Sequence, residues 1–186
     1  MTIGVLAMQG AFKEHIKMLN SLGVKAIEVR YESELNEVDG LIIPGGESTV
    51  IGKLIKEMNL LQPLTSKIKS GLPVWGTCAG MIVLAKTIEG SDTTHIPVMD
   101  IEVRRNAYGK QLASFKTNLS IKGLKLEFPA VFIRAPYIKH VGQNVEILSS
   151  IDEQIVAARQ ANMLVTSFHP ELTNDTRMHE LFIKMI

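Results

Sequence analysis

Four short, almost wholly apolar runs constrain this chain most: Ile3 to Ala7, Gly40 to Ile43, Pro73 to Gly76 and Met163 to Phe168. A strand with one wet face alternates apolar and polar residues. A run that is apolar throughout needs cover on both sides, which is the situation of a parallel sheet between helices. Val24 to Val29 reads as a further strand. The intervening segments supply the cover. Phe12 to Leu22 has apolar residues at 12, 16, 19 and 22 and is closed by Gly23, a helical spacing. Ser48, placed as a helix cap, opens a helix to about Met58, and others run over Leu61 to Ser70, Ala79 to Lys86 and Thr173 to Ile186. After Gly90 the pattern changes to the strand-like Val98 to Val103, Ala113 to Asn118, Ala130 to Ile133 and Val145 to Leu148. Antiparallel pairs at the sheet edge are the simplest arrangement for these. The expectation is an α/β fold: a mostly parallel sheet, helices on both faces and antiparallel edge strands. No repeat or linker interrupts it, so residues 1–186 are read as one domain.

Bulk chemistry removes several function classes. Twenty Lys and Arg against nineteen Asp and Glu leave a formal net charge of +1, so nothing favours nucleic acid or an anionic membrane as a partner. Arg104-Arg105 is too short to be a basic patch. No stretch reaches the roughly 18 apolar residues of a membrane span, and Met1 to Met8 lacks the positive lead of a signal peptide. The expected compartment is the cytoplasm. Cys78 is the single cysteine, which excludes an internal disulfide and paired-cysteine metal sites. No metal or cofactor is called for.

That cysteine lies in Gly76-Thr77-Cys78-Ala79-Gly80, between an expected strand and an expected helix. A sharp strand-to-helix turn presents a nucleophile, the glycines let the backbone pass, and the helix N-terminus favours a thiolate. The bland alternative, a small buried cysteine, has about equal weight on this motif alone. Phe168-His169-Pro170-Glu171 follows an apolar run; in extended backbone residues two apart share a face, which suits a base and the carboxylate that orients it. The order Cys, His, Glu differs from the nucleophile, acid, His order of α/β-hydrolases. Pro44-Gly45-Gly46-Glu47-Ser48-Thr49 is a glycine-rich turn without the lysine of a phosphate loop, and Glu47 would repel phosphate. Its N–H groups suit an oxyanion hole instead. His15, His95, His140 and His179 have no carboxylate at the same-face extended spacing and are read as solvated or structural.

Together the cysteine turn, the late His-x-Glu and the Pro-Gly-Gly loop resemble the class I glutamine amidotransferase family. Longer strings, Ala7-Met8-Gln9-Gly10 with Glu14-His15, Trp75 to Met81, Arg105-Asn106-Ala107-Tyr108-Gly109 and Phe132-Ile133-Arg134-Ala135-Pro136, are similar to its branch of glutaminase subunits of pyridoxal 5′-phosphate synthases. The resemblance covers essentially the whole chain and implies that family's flavodoxin-like three-layer sandwich. Lys110 departs from the Arg expected after Asn-x-x-Gly.

The resemblance also implies roles. Cys78 would be the nucleophile that forms a γ-glutamyl thioester, His169 the base and then acid, and Glu171 its orienting partner. The backbone of Gly46 and Ala79 would hold the oxyanion, and Gly46, Glu47, Ser48, Arg105, Ile133 and Arg134 would bind L-glutamine. Ammonia would pass to a separate synthase subunit, which joins it to a pentose phosphate and a triose phosphate to build pyridoxal 5′-phosphate; this chain would not bind that product as a cofactor. Gln9 is expected near the interface with the synthase, with Gly45-Gly46 giving the oxyanion loop its freedom. Rival readings are another thiol amidase or peptidase, a glutaminase serving a different synthase, a binding module that keeps the scaffold, and a nucleotide-binding protein.

Overall fold

A computed structural model describes residues 1–105 and 114–186. The first half lays down β1 (Thr2–Leu6), α1 (Phe12–Ser21), β2 (Lys25–Val29), a short α2 (Glu32–Leu35), β3 (Gly40–Ile43), α3 (Ser48–Glu57), α4 (Leu61–Lys69), β4 (Val74–Thr77) and α5 (Ala79–Leu84). The second half is strand-rich: β5 (Ala85–Ile88), β6 (Met99–Arg104), β7 (Ser114–Leu119), β8 (Phe128–Ile133), β9 (Tyr137–Val141), β10 (Glu146–Ile151), β11 (Gln154–Gln160) and β12 (Met163–Thr166), closed by α6 (Arg177–Ile183).

Strands β2-β1-β3-β4-β12 pair in parallel. From β12 the same sheet continues through β11, β9 and β6 by antiparallel pairs and ends on β5. The apolar runs behave as their composition requires. Along β3, Leu41 and Ile43 enter one core while Ile42 enters the other; along β12, Met163 and Val165 oppose Leu164 in the same way. Ile51 and Ile55 of α3, Leu64 and Ile68 of α4 and the whole apolar surface of α5 fill the first core. Leu19 of α1, Met178 and Phe182 of α6, and Phe128 and Phe132 of β8 fill the second. This is the three-layer α/β architecture expected.

Several local expectations need correction. The β7–β8 pair is not an edge of the main sheet but a separate two-stranded ribbon laid over the second core. Strands β5, β9 and β11 and the turn of α2 were not foreseen; the helix expected over Ala79 to Lys86 stops at Leu84, where β5 begins, and the first residue expected in β7, Ala113, lies outside the described residues. Ser48 is the first helical residue of α3 rather than its cap; Glu47 occupies that place, without a side-chain cap bond. The last helix starts only at Arg177, because Thr173 and Asp175 side chains bond locally to a turn before it. His140 sits on β9, 3.7 Å from Glu102.

Candidate active site

The carboxyl ends of the central parallel strands converge, as ligand crevices in open α/β sheets do. β1 leads to Gln9, β3 to Pro44-Gly45-Gly46, β4 to Cys78, and β12 to His169. A cleft of about 1030 Å³ opens above them. Gly46, Glu47, Ser48, Cys78, Ala79, Arg105, Ile133, Arg134 and His169 all line it, so every site residue expected from the sequence is at the cleft except Glu171, which is buried behind His169. The Asn106 to Gly109 string and Lys110 lie outside the described residues.

Cys78 takes φ 49° and ψ −104° at the junction of β4 and α5, a left-handed conformation uncommon for a residue with a side chain. The turn is closed by the Cys78 N–H donating to the Thr166 carbonyl at 2.7 Å. It is sharp enough that the backbone packs on itself. A Cβ at Gly76 would lie 2.6 Å from the Gly80 carbonyl, and one at Gly80 2.0 Å from the Ile43 carbonyl oxygen. The sulfur faces the Ile133 carbonyl at 4.0 Å.

His169 Nδ1–H donates to Glu171 Oε1 at 2.7 Å. The contact does not arise from extended backbone, as the spacing argument supposed. β12 ends at Thr166, and Pro170–Leu172 form a 3₁₀ turn that folds the carboxylate back under the ring. Burial opposes the charged ring, but the Cys78 sulfur and the Glu171 carboxylate overcome this and raise the His169 pKa to about 10. Burial likewise opposes ionisation of Glu171; its contacts with His15 and His169 prevail and hold it below the usual carboxylate range.

The loops around this pair are braced by close backbone approach. A Cβ on Gly45 would meet His169 Cε1 at 2.4 Å, and one on Gly10, where φ is +93°, would meet the Gly45 carbonyl oxygen at 1.7 Å. Ala11 N–H donates to that same carbonyl at 3.2 Å, and Glu47 N–H donates to Gln9 Oε1 at 2.7 Å.

Sequence reasoning missed two groups here. Glu89 and Arg104 line the cleft mouth as an ion pair that also takes in Lys139; hydrogen bonds from Arg104 and Lys139 bring the Glu89 pKa down to about 2. They come from the turn after β5 and from strands β6 and β9, and no local motif links them. His15 is fully buried beside Glu171, and His179 is fully buried beside His15. The burial of His15 was legible in the spacing of the Phe12 to Leu22 helix; its contact partner was not. Among the described residues no set of three or more His, Cys, Asp or Glu side chains is arranged to hold a metal. Nor is any helix there long and apolar enough to cross a membrane.

Known proteins are similar to this chain in sequence and in fold. The chain is 55% identical to the pyridoxal 5′-phosphate synthase subunit PdxT of Carboxydothermus hydrogenoformans, over 100% of this chain and 98% of that protein. It is 53% identical to the subunit of the same name from Streptococcus pneumoniae, over 100% and 97%. A crystal structure of a glutamine amidotransferase superposes with a TM-score of 0.94 at 44% identity, covering 98% of this chain and 97% of the other. PurLQS from Thermotoga maritima shares the fold alone, with a TM-score of 0.75 at 12% identity. The family model describing SNO glutamine amidotransferases matches residues 5–186, and the chain belongs to the SNO glutamine amidotransferase family.

Proposed function

We propose that the chain hydrolyses L-glutamine to L-glutamate and ammonia through Cys78, His169 and Glu171, and supplies the ammonia to a separate synthase subunit for pyridoxal 5′-phosphate biosynthesis. The observation that carries this reading is the His169–Glu171 pair held at 2.7 Å beside a cysteine on a left-handed turn, with Cys78 and His169 lining one cleft and Glu171 buried behind the ring. Full-length similarity to the PdxT subunits supports the biosynthetic role.

The Cys78 thiolate attacks the side-chain amide carbon of glutamine, and the developing oxyanion is held by backbone N–H groups of Gly46 and Ala79. His169, charged beside the sulfur, gives its proton to the leaving nitrogen, so ammonia departs and a γ-glutamyl thioester remains. Water then attacks the thioester while His169 takes its proton; glutamate leaves and the thiol is restored. Glu171 keeps the ring oriented with Nδ1 protonated. Gly46, Glu47, Ser48, Arg105, Ile133 and Arg134 bind the substrate, with Glu47 suited to its ammonium and Arg105 or Arg134 to its carboxylate. Gln9, beside Glu47, meets the synthase. The whole of residues 1–186 serves as one glutaminase domain in the cytoplasm, where a lone catalytic thiol stays reduced.

The test is glutamate release from glutamine by the purified chain, alone and with the synthase subunit, for wild type and Cys78→Ala. Turnover that rises with the partner and vanishes in the variant supports the reading. Strong turnover indifferent to the partner would point to a different synthase or an independent role. Absence of turnover in either state would sink the glutaminase.

A further inference from the structure

Behind the proposed triad lies a second, deeper set of ionisable groups that the reaction as written does not use. His15 on α1 and His179 on α6 are both 0% exposed, packed edge-on against Trp75 with ring centroids 5.7 and 5.0 Å away. Their rings meet, His15 Nδ1 to His179 Nε2, at 2.9 Å. The other nitrogen of His15, Nε2, is 3.3 Å from Thr77 Oγ1 and also 3.3 Å from Glu171 Oε2. It is hydrogen-bonded to the threonine, which leaves Glu171 Oε2 buried with no hydrogen bond of its own. His179 Nδ1 is buried and equally without a partner.

These contacts fix where the protons are. Burial lowers the pKa of both histidines, that of His179 to about 2, so both rings are neutral and each carries one proton. One proton must lie between the two rings. If His15 supplied it from Nδ1, its Nε2 would turn a lone pair toward the Glu171 carboxylate, and His179 would bury an unpaired Nδ1–H. If His179 supplies it from Nε2, His15 carries its proton on Nε2, facing the carboxylate and the threonine. The only group then left unsatisfied is a lone pair on His179, which costs less than an orphaned donor. The carboxylate therefore selects the second arrangement.

We propose that His15 is a positioning residue of the glutaminase site: its Nε2–H, shared between Thr77 Oγ1 and Glu171 Oε2, anchors the outer oxygen of the carboxylate whose inner oxygen orients His169. His179 sets the tautomer that makes this possible. Hydrogen bonds of catalytic groups are often long or misaligned before substrate binds, and one at 3.3 Å is of that kind. The carboxylate is thus gripped on both oxygens by imidazoles from two different parts of the chain. This inference rests on the triad reading above.

Two variants of similar size separate anchoring from packing. His15→Leu fills the space without a donor; His15→Gln restores an N–H near the position of Nε2. In the complex with the synthase subunit, His15→Leu is expected to lower kcat for glutamine hydrolysis by about 10- to 100-fold with KM little changed, and His15→Gln to recover most of the loss. The groups facing His15 are Glu171 and His169 beyond β12, His179 on α6, Glu14 on α1 and Thr77 on β4. Glu171 is the one that loses a donor, so its pKa rises and the acid limb of the pH–kcat profile moves to higher pH in His15→Leu. Equal kcat in the two variants, or an effect confined to KM, would overturn the proposal.

A measurement on the unaltered protein stands whether or not the variants fold. Nitrogen-15 NMR of histidine-labelled wild type should show His15 and His179 neutral at pH 7, each protonated on Nε2. His15 protonated on Nδ1, or on both nitrogens, rules the anchor out. Were wild type itself unable to hydrolyse glutamine with its partner, the triad reading would fail while this tautomer result still stood or fell separately.

Discussion

The Glu171 carboxylate reaches the His169 ring at 2.7 Å because one proline turns the chain between them, not because the two side chains share the face of a strand. Pro170 begins a 3₁₀ turn whose carbonyl also accepts from the Thr173 hydroxyl at 2.9 Å, so the approach is held from both ends. The carboxylate is thereby placed to orient rather than to react. Cys78→Ala should lower glutamine turnover by about 10⁴-fold or more while still binding glutamine, and His169→Ala should be nearly as severe. Glu171→Ala should lose roughly one to two orders of magnitude less. Steady-state and equilibrium-binding assays in the complex measure this ranking; equal, small effects at all three positions would defeat the triad.

Protonation offers a second check. The raised pKa of His169, about 10, depends in part on the Cys78 sulfur beside it. Cys78→Ala should move the His169 titration, followed by NMR, to lower pH.

The same shift carries a sign for stability. A group whose pKa rises from 6.5 to about 10 on folding contributes stability that is full below pH 6.5 and is lost as pH climbs through 10. Glu171 acts oppositely: its depressed pKa contributes stability above 4.5 that is lost as pH falls through its folded value. Urea unfolding of wild type and His169→Gln should therefore show a stability difference that narrows from pH 6.5 to 10. A difference constant over that window would refute the charged-ring assignment.

Gly45 tests the packing around the base. A methyl group there would fall 2.4 Å from His169 Cε1, so Gly45→Ala must displace the ring. Misplacement of a catalytic group by about 1 Å costs up to about 100-fold. The expected result is a fall in kcat of about that size, with the melting temperature changed by only a few degrees.

Gln9 tests the bracing of the glycine-rich loop. Gln9→Ala removes the acceptor that holds the Glu47 N–H at 2.7 Å, and should lower coupled activity, weaken assembly with the synthase, or both. Coupled activity and complex formation that match wild type would remove Gln9 from the interface.

What the sequence revealed divides along a physical line. The parallel half of the sheet was legible because both faces of β3, β4 and β12 are buried, and double burial writes an unbroken apolar run. Strands β9 and β11 escaped because they carry polar residues such as Lys139, His140, Arg159 and Gln160, and their pairing is decided by distant partners. At the site, Cys78 and His169 stood out because each follows an apolar strand within a local motif. His15, His179, Glu89 and Arg104 did not, since what matters about them is contact across 15 to 164 positions of chain.

Gly10 rests on the carbonyl of Gly45, and Gly45 rests on the ring of His169, with no side chain between any of them. Hard contacts of this kind transmit displacement instead of absorbing it. The loop after β1, the Gly45-Gly46 loop and the His169 ring are consequently one mechanical train. A push on residues 8 to 11 would therefore reach the Gly45-Gly46 loop and the ring of His169 together.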